Sequence, residues 1–322
     1  MDTRLIGDRE VSALGFGCWA IGGPFSDTDG NPLGWGEVDD DESIAAIRRA
    51  LELGVTFFDT ADIYGAGHSE RVLGRAVAGH RDEVVIASKW GNLFDEDTKV
   101  RTGSDVTPEY MRKAIRATLT RLGTDYLDLY QLHPAPSVEE AEPLADTAEE
   151  LVKEGLIRGY AWSTDDPERA AAWAGRPGCV AVQHECSVLH DAPEMLDLCE
   201  RHGLASVNRG PLAMGLLGRR DHTRPATGAD IRTAAPEWLR YFANGVPTPE
   251  WGARVDSLRE ILTSDGRSLA QGALAWLWAR SGRTIPIPGF RNVTQAEDNA
   301  GALAHGPLTP RQLAEVAGLL AA

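Results

Sequence analysis

A closed (β/α)8 barrel, the TIM-barrel class, is the fold this sequence predicts, and three observations lead to it. Short β-prone apolar runs alternate with helical segments along the chain. Eight such runs can be counted, the number a barrel of this kind needs. No Gly-x-Gly-x-x-Gly follows the first of them, which removes the usual support for an open, doubly wound sheet. The length of 322 residues is ordinary for one barrel. With no linker, internal repeat or low-complexity tract to divide it, the chain reads as a single domain over 1–322.

The elements follow in order. Residues 3–14 read as a hairpin turning at Gly7-Asp8, a plug across one end of the barrel. The eight runs are 14–17, 56–59, 84–89, 127–133, 159–163, 180–183, 205–208 and 285–289. Most lack a polar alternate face, as parallel strands buried on both sides do. Between the first two, residues 41–53 place Ile44, Ile47, Ala50 and Leu51 on one helical face and stop at Gly54. Pro108–Leu122 repeats the pattern with Met111, Ile115, Thr118 and Leu122, opened by Thr107 as N-cap and Pro108 at the first helical position. Two segments break the alternation, 24–40 (rich in Gly, Pro and Asp, with Trp35) and 219–255 (with Tyr241, Phe242 and two tryptophans). Long irregular insertions in a barrel more often serve a site than decorate a surface, so both are expected to wall a substrate cleft.

Composition excludes some partners. With 48 acidic and 32 basic residues the net charge is −16, which repels nucleic-acid phosphates and anionic membranes alike. No secretory signal opens the chain, and no run approaches the roughly 18 apolar residues of a membrane span. Cys18, Cys179, Cys186 and Cys199 have neither metal-ligand spacing nor a small-domain disulfide pattern. A cytoplasmic protein with reduced thiols and no metal is the expectation, its partners confined to small molecules.

The chemistry begins with a misplaced charge. Lysine occurs only at 89, 99, 113 and 153, and Lys89 closes the apolar run 84–88, where a charge needs a reason. Asp59 and His133 close two other strands, and Tyr64 follows Asp59 after a tight segment. In a β/α barrel the C-terminal strand ends converge, so the four side chains should meet at one mouth. A tyrosine keeps its proton near neutrality, and a neighbouring ammonium makes it a better donor to a developing alkoxide. Asp59 would hold Lys89 charged and in place, and His133 would orient a substrate oxygen.

These residues also carry a resemblance. Phe57-Phe58-Asp59-Thr60-Ala61-Asp62-Ile63-Tyr64-Gly65, then His68-Ser69-Glu70 and Leu73-Gly74, resembles the first signature of the aldo-keto reductases. Ser88-Lys89 and Asp128-Leu129-Tyr130-Gln131-Leu132-His133 are similar to the next two, and the resemblance runs from Gly15 to about Leu303. It implies a barrel that passes hydride between NADP(H), rather than NAD(H), and a carbonyl or alcohol. Tyr64 would be the general acid-base, tuned by Asp59 and Lys89, with His133 orienting the carbonyl.

The resemblance implies cofactor positions as well. Ser163, Thr164 and Gln183 match the segment that holds the nicotinamide amide, with Thr164 standing where Asn is usual. Trp19 is expected among the cofactor-binding residues as well. Arg209-Gly210-Pro211-Leu212 matches the loop that lies against nicotinamide, Arg209 replacing an aromatic residue. An arginine there is expected to disfavour the oxidised, cationic ring. Gly289, Arg291, Gln295, Asp298 and Asn299 match the adenosine-phosphate segment, with Arg291 placed for a 2′-phosphate near a helix start. Arg232 is a candidate clamp for the pyrophosphate. Trp19, Trp35, Trp90 and the tryptophans of the second insertion predict flat apolar walls, and the opening Trp19-Ala20-Ile21-Gly22-Gly23 resembles bacterial members acting on sugars, polyols and small aldehydes. Related barrels with the same residues serve as regulatory subunits, like the β subunits of potassium channels, or as lyases and isomerases that hold a nucleotide without net turnover.

Overall fold

Strand parity organises this molecule, because alternate side chains of each parallel strand point into the barrel or out toward its helices. The computed structural model describes residues 2–218, 226, 228–234, 236 and 238–321. The start of the second insertion, 219–225, lies outside them.

β1 (Thr3–Ile6) and β2 (Arg9–Ser12) pair antiparallel around Gly7, and their Ile6 and Val11 join Phe57, Val85, Leu129, Val207 and Ile285 in the barrel-interior cluster. The hairpin is therefore the plug expected of it. The barrel itself begins at β3 (Gly15–Gly17), followed by helix α1 (Asp40–Glu52), β4 (Phe57–Asp59), α2 (His68–Ala76) and β5 (Val85–Trp90). A hairpin of β6 (Asn92–Asp95) and β7 (Val100–Ser104) then rises above the barrel before α3 (Pro108–Leu122). The regular alternation resumes with β8 (Leu127–Leu132), α4 (Val138–Lys153), β9 (Ile157–Ser163), α5 (Pro167–Ala174), β10 (Cys179–Glu185), α6 (Pro193–His202) and β11 (Ala205–Arg209). The second insertion contributes α7 (Ile231–Ala234), β12 (Phe242–Ala243), β13 (Val246–Pro247) and α8 (Pro249–Leu262). The chain ends with α9 (Leu269–Arg280), β14 (Thr284–Pro286), α10 (Val293–Gly301) and α11 (Pro310–Ala321).

The eight barrel strands are β3, β4, β5, β8, β9, β10, β11 and β14, all parallel to their neighbours in that order. Closure falls at Gly17, which pairs with Gly289 and donates its N–H to the Pro288 carbonyl at 3.0 Å. A Cβ at Gly17 would stand 2.8 Å from the Ile287 carbonyl oxygen, so the seam closes only on glycine. Inside the barrel, small residues such as Ala87, Ala161, Ala181 and Ala205 alternate in space with Phe57, Leu129 and Ile285. The larger core lies outside, between strands and helices.

Helix termini follow their local signals. Thr107 Oγ1 accepts from the Tyr110 N–H at 3.2 Å, with Pro108 at the first helical position. Gly54, at φ +84, ends α1 in the left-handed conformation that its sequence position predicts. Ser137 with Glu140, and Ser268 with Gln271, form reciprocal capping boxes at α4 and α9. No helix among the described residues is long and apolar enough to cross a membrane.

Candidate active site

The inward-facing residues at the strand ends form a polar layer on the floor of a cleft of about 800 Å³. Lys89 lies at the bottom, with its side chain 0% exposed and that of Asp59 2% exposed. Its Nζ donates to Asp59 Oδ1 at 2.5 Å, to the Thr60 carbonyl at 2.9 Å and to the Tyr64 hydroxyl at 3.3 Å. All three donor hydrogens are thereby accounted for. The other oxygen of Asp59 accepts from Gln131 Nε2 and Gln183 Nε2, both at 2.8 Å. A buried ion pair is tolerable only when its remaining valences are met in this way.

Tyr64 is aimed into the cleft by the turn that follows β4. Gly65 (φ +61) makes that turn, and a Cβ there would lie 1.8 Å from the Gly22 carbonyl oxygen. This contact presses the Tyr64 backbone against the 3-10 turn at Trp19–Ile21, and Trp19 stacks on the tyrosine with ring centroids 5.9 Å apart. The His133 ring meets Tyr64 edge-on at 5.9 Å. Asp59, Tyr64 and His133 line the cleft, while Lys89 acts from behind Tyr64. The four predicted residues are therefore brought together.

Their electrostatics divide the labour. Burial pulls the Lys89 ammonium down, but Asp59 and Tyr64 outweigh it, so its pKa lies above the ordinary value and it stays charged. Burial also pushes Tyr64 up, by more than Lys89 pulls it down, and the phenol is protonated across the neutral range. Burial, followed by the charges of Lys89, Arg209 and Arg101, holds His133 well below its usual value. It is a neutral imidazole, and its Nδ1 is buried without a partner among the described residues. The arrangement supplies one protonated acid, one cation to stabilise its conjugate base, and one neutral hydrogen-bonding ring.

The cofactor candidates are distributed along the same cleft. Ser163, Gln183, Arg209, Gly210, Pro211 and Leu212 line it near the tetrad, and Gly289, Arg291, Gln295, Asp298 and Asn299 line its far end. Asp59 and Gln131 engage the amide nitrogen of Gln183, which leaves its carbonyl oxygen to accept from a carboxamide. Thr164 is the exception. Ser163 points inward, so the next residue on the strand points away, and Thr164 Oγ1 accepts from the Asp166 N–H at 3.1 Å. It does not line the cleft.

Arg209 pairs with Asp165 and lies 4.0 Å from Glu185. These carboxylates offset part of the repulsion expected between Arg209 and an oxidised ring. Arg232 lines the cleft held by both oxygens of Asp230, at 3.0 and 2.7 Å, with its guanidinium 4.9 Å from the Trp35 ring centroid. Arg291 directly precedes Asn292, the N-cap of α10. Its guanidinium donates to the carbonyls of Trp35 and Glu37 and meets no carboxylate among the described residues, so its charge stays available to a phosphate.

Both insertions wall the cleft. Residues 24–40 contribute Phe25, Leu33 and Trp35, and the second insertion contributes Ile231, Trp238, Leu239 and Tyr241. They join where the Ile231 N–H donates to the Gly34 carbonyl at 2.7 Å. Trp19, Trp35 and Trp238 form an aromatic wall. Two tryptophans expected there are elsewhere: Trp90 is 1% exposed and stacked on Tyr130 on the outer face of β5, and Trp251 packs on Tyr241 without lining the cleft. Sequence reasoning missed Gln131, whose place two residues before His133 on the inward face was the available signal. It also missed Glu185, Asn92 and Arg101, all of which line the cleft.

Comparisons with known proteins agree with this geometry. A sequence model of the Aldo/keto reductase family matches residues 13–321. The Bacillus subtilis oxidoreductase YqkF is 32% identical over 316 residues, covering 97% of this chain and 94% of its own. Among solved structures, the glycerol dehydrogenase AKR11B4 from Gluconobacter oxydans superposes with a TM-score of 0.82 at 26% identity, covering 99% of this chain and 95% of its own. An aldo/keto reductase from Klebsiella pneumoniae, in complex with NADP and acetate, superposes at 0.71 with 27% identity and coverages of 99% and 95%. Barrel, buried ion pair, cleft tyrosine and matched sequence together place this chain in the aldo/keto reductase family.

Proposed function

We propose that the chain transfers hydride reversibly between NADP(H) and the carbonyl of a small aldehyde or ketone, with Tyr64 as proton donor in reduction and acceptor in oxidation. The observation that carries this reading is the chain of contacts Asp59–Lys89–Tyr64, opening beside the neutral His133 on the cleft floor. NADPH, when bound, supplies the hydride. The residues present fit it, with amide and hydroxyl groups at the Ser163 and Gln183 end and an uncompensated guanidinium with a helix start at the Arg291 end. The NADP in the Klebsiella neighbour supports the same choice.

In this reading His133 and the Tyr64 hydroxyl grip the carbonyl oxygen. As negative charge develops there, Tyr64 gives up its proton, and the Lys89 ammonium stabilises the phenolate left behind. Asp59 keeps Lys89 charged and aimed, while Gln131 and Gln183 keep Asp59 in place. Trp19, Trp35 and Trp238 exclude water from one side. The test is the fall in NADPH absorbance with a panel of aldehydes, ketones and keto-sugars. Turnover supports the reading; tight NADPH binding without turnover on any of them would replace it with a regulatory or non-redox barrel.

A further inference from the structure

We propose that Arg101 forms an anion subsite in the substrate cleft, so that the preferred carbonyl substrate carries a carboxylate or phosphate away from its reacting carbon. This deepens the reductase reading and rests on it. The chain as a whole carries −16, yet its cleft is lined by four arginines (101, 209, 232 and 291) against three acids, Asp59, Glu185 and Asp298. Asp59 is already committed to Lys89, and Glu185 to Tyr241 and Arg240. Arg209 pairs with Asp165, Arg232 with Asp230, and Arg291, just before the N-cap of α10, is the residue assigned above to the adenosine phosphate.

Arg101 differs from Arg209 and Arg232 in meeting no carboxylate among the described residues, and from Arg291 in acting on His133. It makes no ion pair with any described residue, although it is half-buried in a cleft wall and close enough to His133 for its charge to lower that imidazole. Exposed arginines such as Arg116 also meet no carboxylate among the described residues, but water solvates them freely. A half-buried one in the cleft that holds His133 is costlier to leave unmatched.

The guanidinium is also held in place. The β6–β7 register sets its backbone against Phe94, and its N–H donates to the Ser26 carbonyl at 2.8 Å. Its Nε donates to Asn92 Oδ1 at 2.8 Å, and the Asn92 carbonyl accepts from the Tyr110 hydroxyl at 3.0 Å. Both terminal nitrogens of Arg101 remain without a partner among the described residues. They form the planar fork that matches the two oxygens of a carboxylate or phosphate. Such an anion, held in the cleft that Tyr64 and His133 also line, would set where the carbonyl sits relative to Tyr64.

The test compares 4-oxobutanoate with butanal, and 4-carboxybenzaldehyde with 4-methylbenzaldehyde, in the native chain and in Arg101→Met and Arg101→Lys. Native enzyme should favour the anionic member of at least one pair. Arg101→Met should lose roughly 10- to 100-fold in kcat/KM for that member, mostly in KM, and stay within about threefold for its neutral partner. Arg101→Lys should recover part of the loss. A second readout does not need turnover: succinate binding to the NADPH complex, followed by cleft tryptophan fluorescence, should weaken about tenfold or more in Arg101→Met. Equal losses on charged and neutral aldehydes, or succinate binding indifferent to the substitution, would overturn the subsite. Failure of the neutral aldehydes as well, in native enzyme that still binds succinate through Arg101, would instead count against the reductase reading.

Discussion

Replacing Lys89 by Met removes the cation 3.3 Å from the Tyr64 hydroxyl while leaving a side chain of similar length in the barrel. At an effective dielectric of 20, an ammonium at that separation favours the phenolate by about 5 kcal/mol. A proton half transferred in the transition state realises about half of this, so kcat for reduction should fall roughly 70-fold. Asp59 keeps its hydrogen bonds from Gln131 and Gln183 but loses its buried counter-charge, at a cost of about 3–5 kcal/mol, so retained NADPH affinity is the check that the variant is folded. The assay is single-turnover oxidation of bound NADPH by an aldehyde that the native enzyme reduces, with NADPH affinity measured alongside by fluorescence. A variant within threefold of native kcat, or one that loses only in KM, would show that Lys89 does not stabilise the phenolate.

Other expectations come from single contacts. Burial, and then Glu70, raise the Asp62 carboxyl well above its usual value, so the native chain keeps a proton there that the unfolded chain releases above about pH 4. Its contribution to stability is therefore present in acid and lost as pH rises. Asp62→Asn should raise the midpoint of urea unfolding at pH 7 and gain nothing near pH 4; a gain equal at both values would contradict the assignment. Arg291→Ala should weaken NADPH binding at least tenfold and NADH binding little, as read by fluorescence titration, whereas equal losses would remove Arg291 from the 2′-phosphate site.

How much of this was legible in the sequence depends on where period-2 alternation was applied. All eight barrel strands were found, since buried parallel strands read as short apolar runs, and the tetrad stood out because polar residues ended them. Carrying the same parity one residue further would have corrected two assignments: if Lys89 points inward, Trp90 cannot, and if Ser163 does, Thr164 cannot. Gln131 was equally accessible, two residues before His133. The β6–β7 hairpin was not, because 92–104 is polar and charged, with no apolar face to announce a strand. Its turn is made by Asp95, whose Oδ1 accepts from the Thr98 N–H at 2.7 Å, a local motif within a run of acidic residues. The pairing of Arg209 with Asp165 and of Arg232 with Asp230 was hidden for another reason. Which carboxylate meets which guanidinium depends on loops whose paths no periodicity fixes.

In the proposed reaction Tyr64 passes the proton while the rest of the cleft binds cofactor and substrate. Tyr64→Phe, with NADPH affinity and NADPH oxidation measured on one preparation, separates the two roles. The phenyl ring preserves the stack on Trp19 and removes only the hydroxyl. Retained NADPH binding with kcat reduced by 10² to 10⁴, about the range of a lost general acid, is the predicted result. Oxidation at the native rate would instead show that the proton reaches the substrate oxygen by a route other than Tyr64.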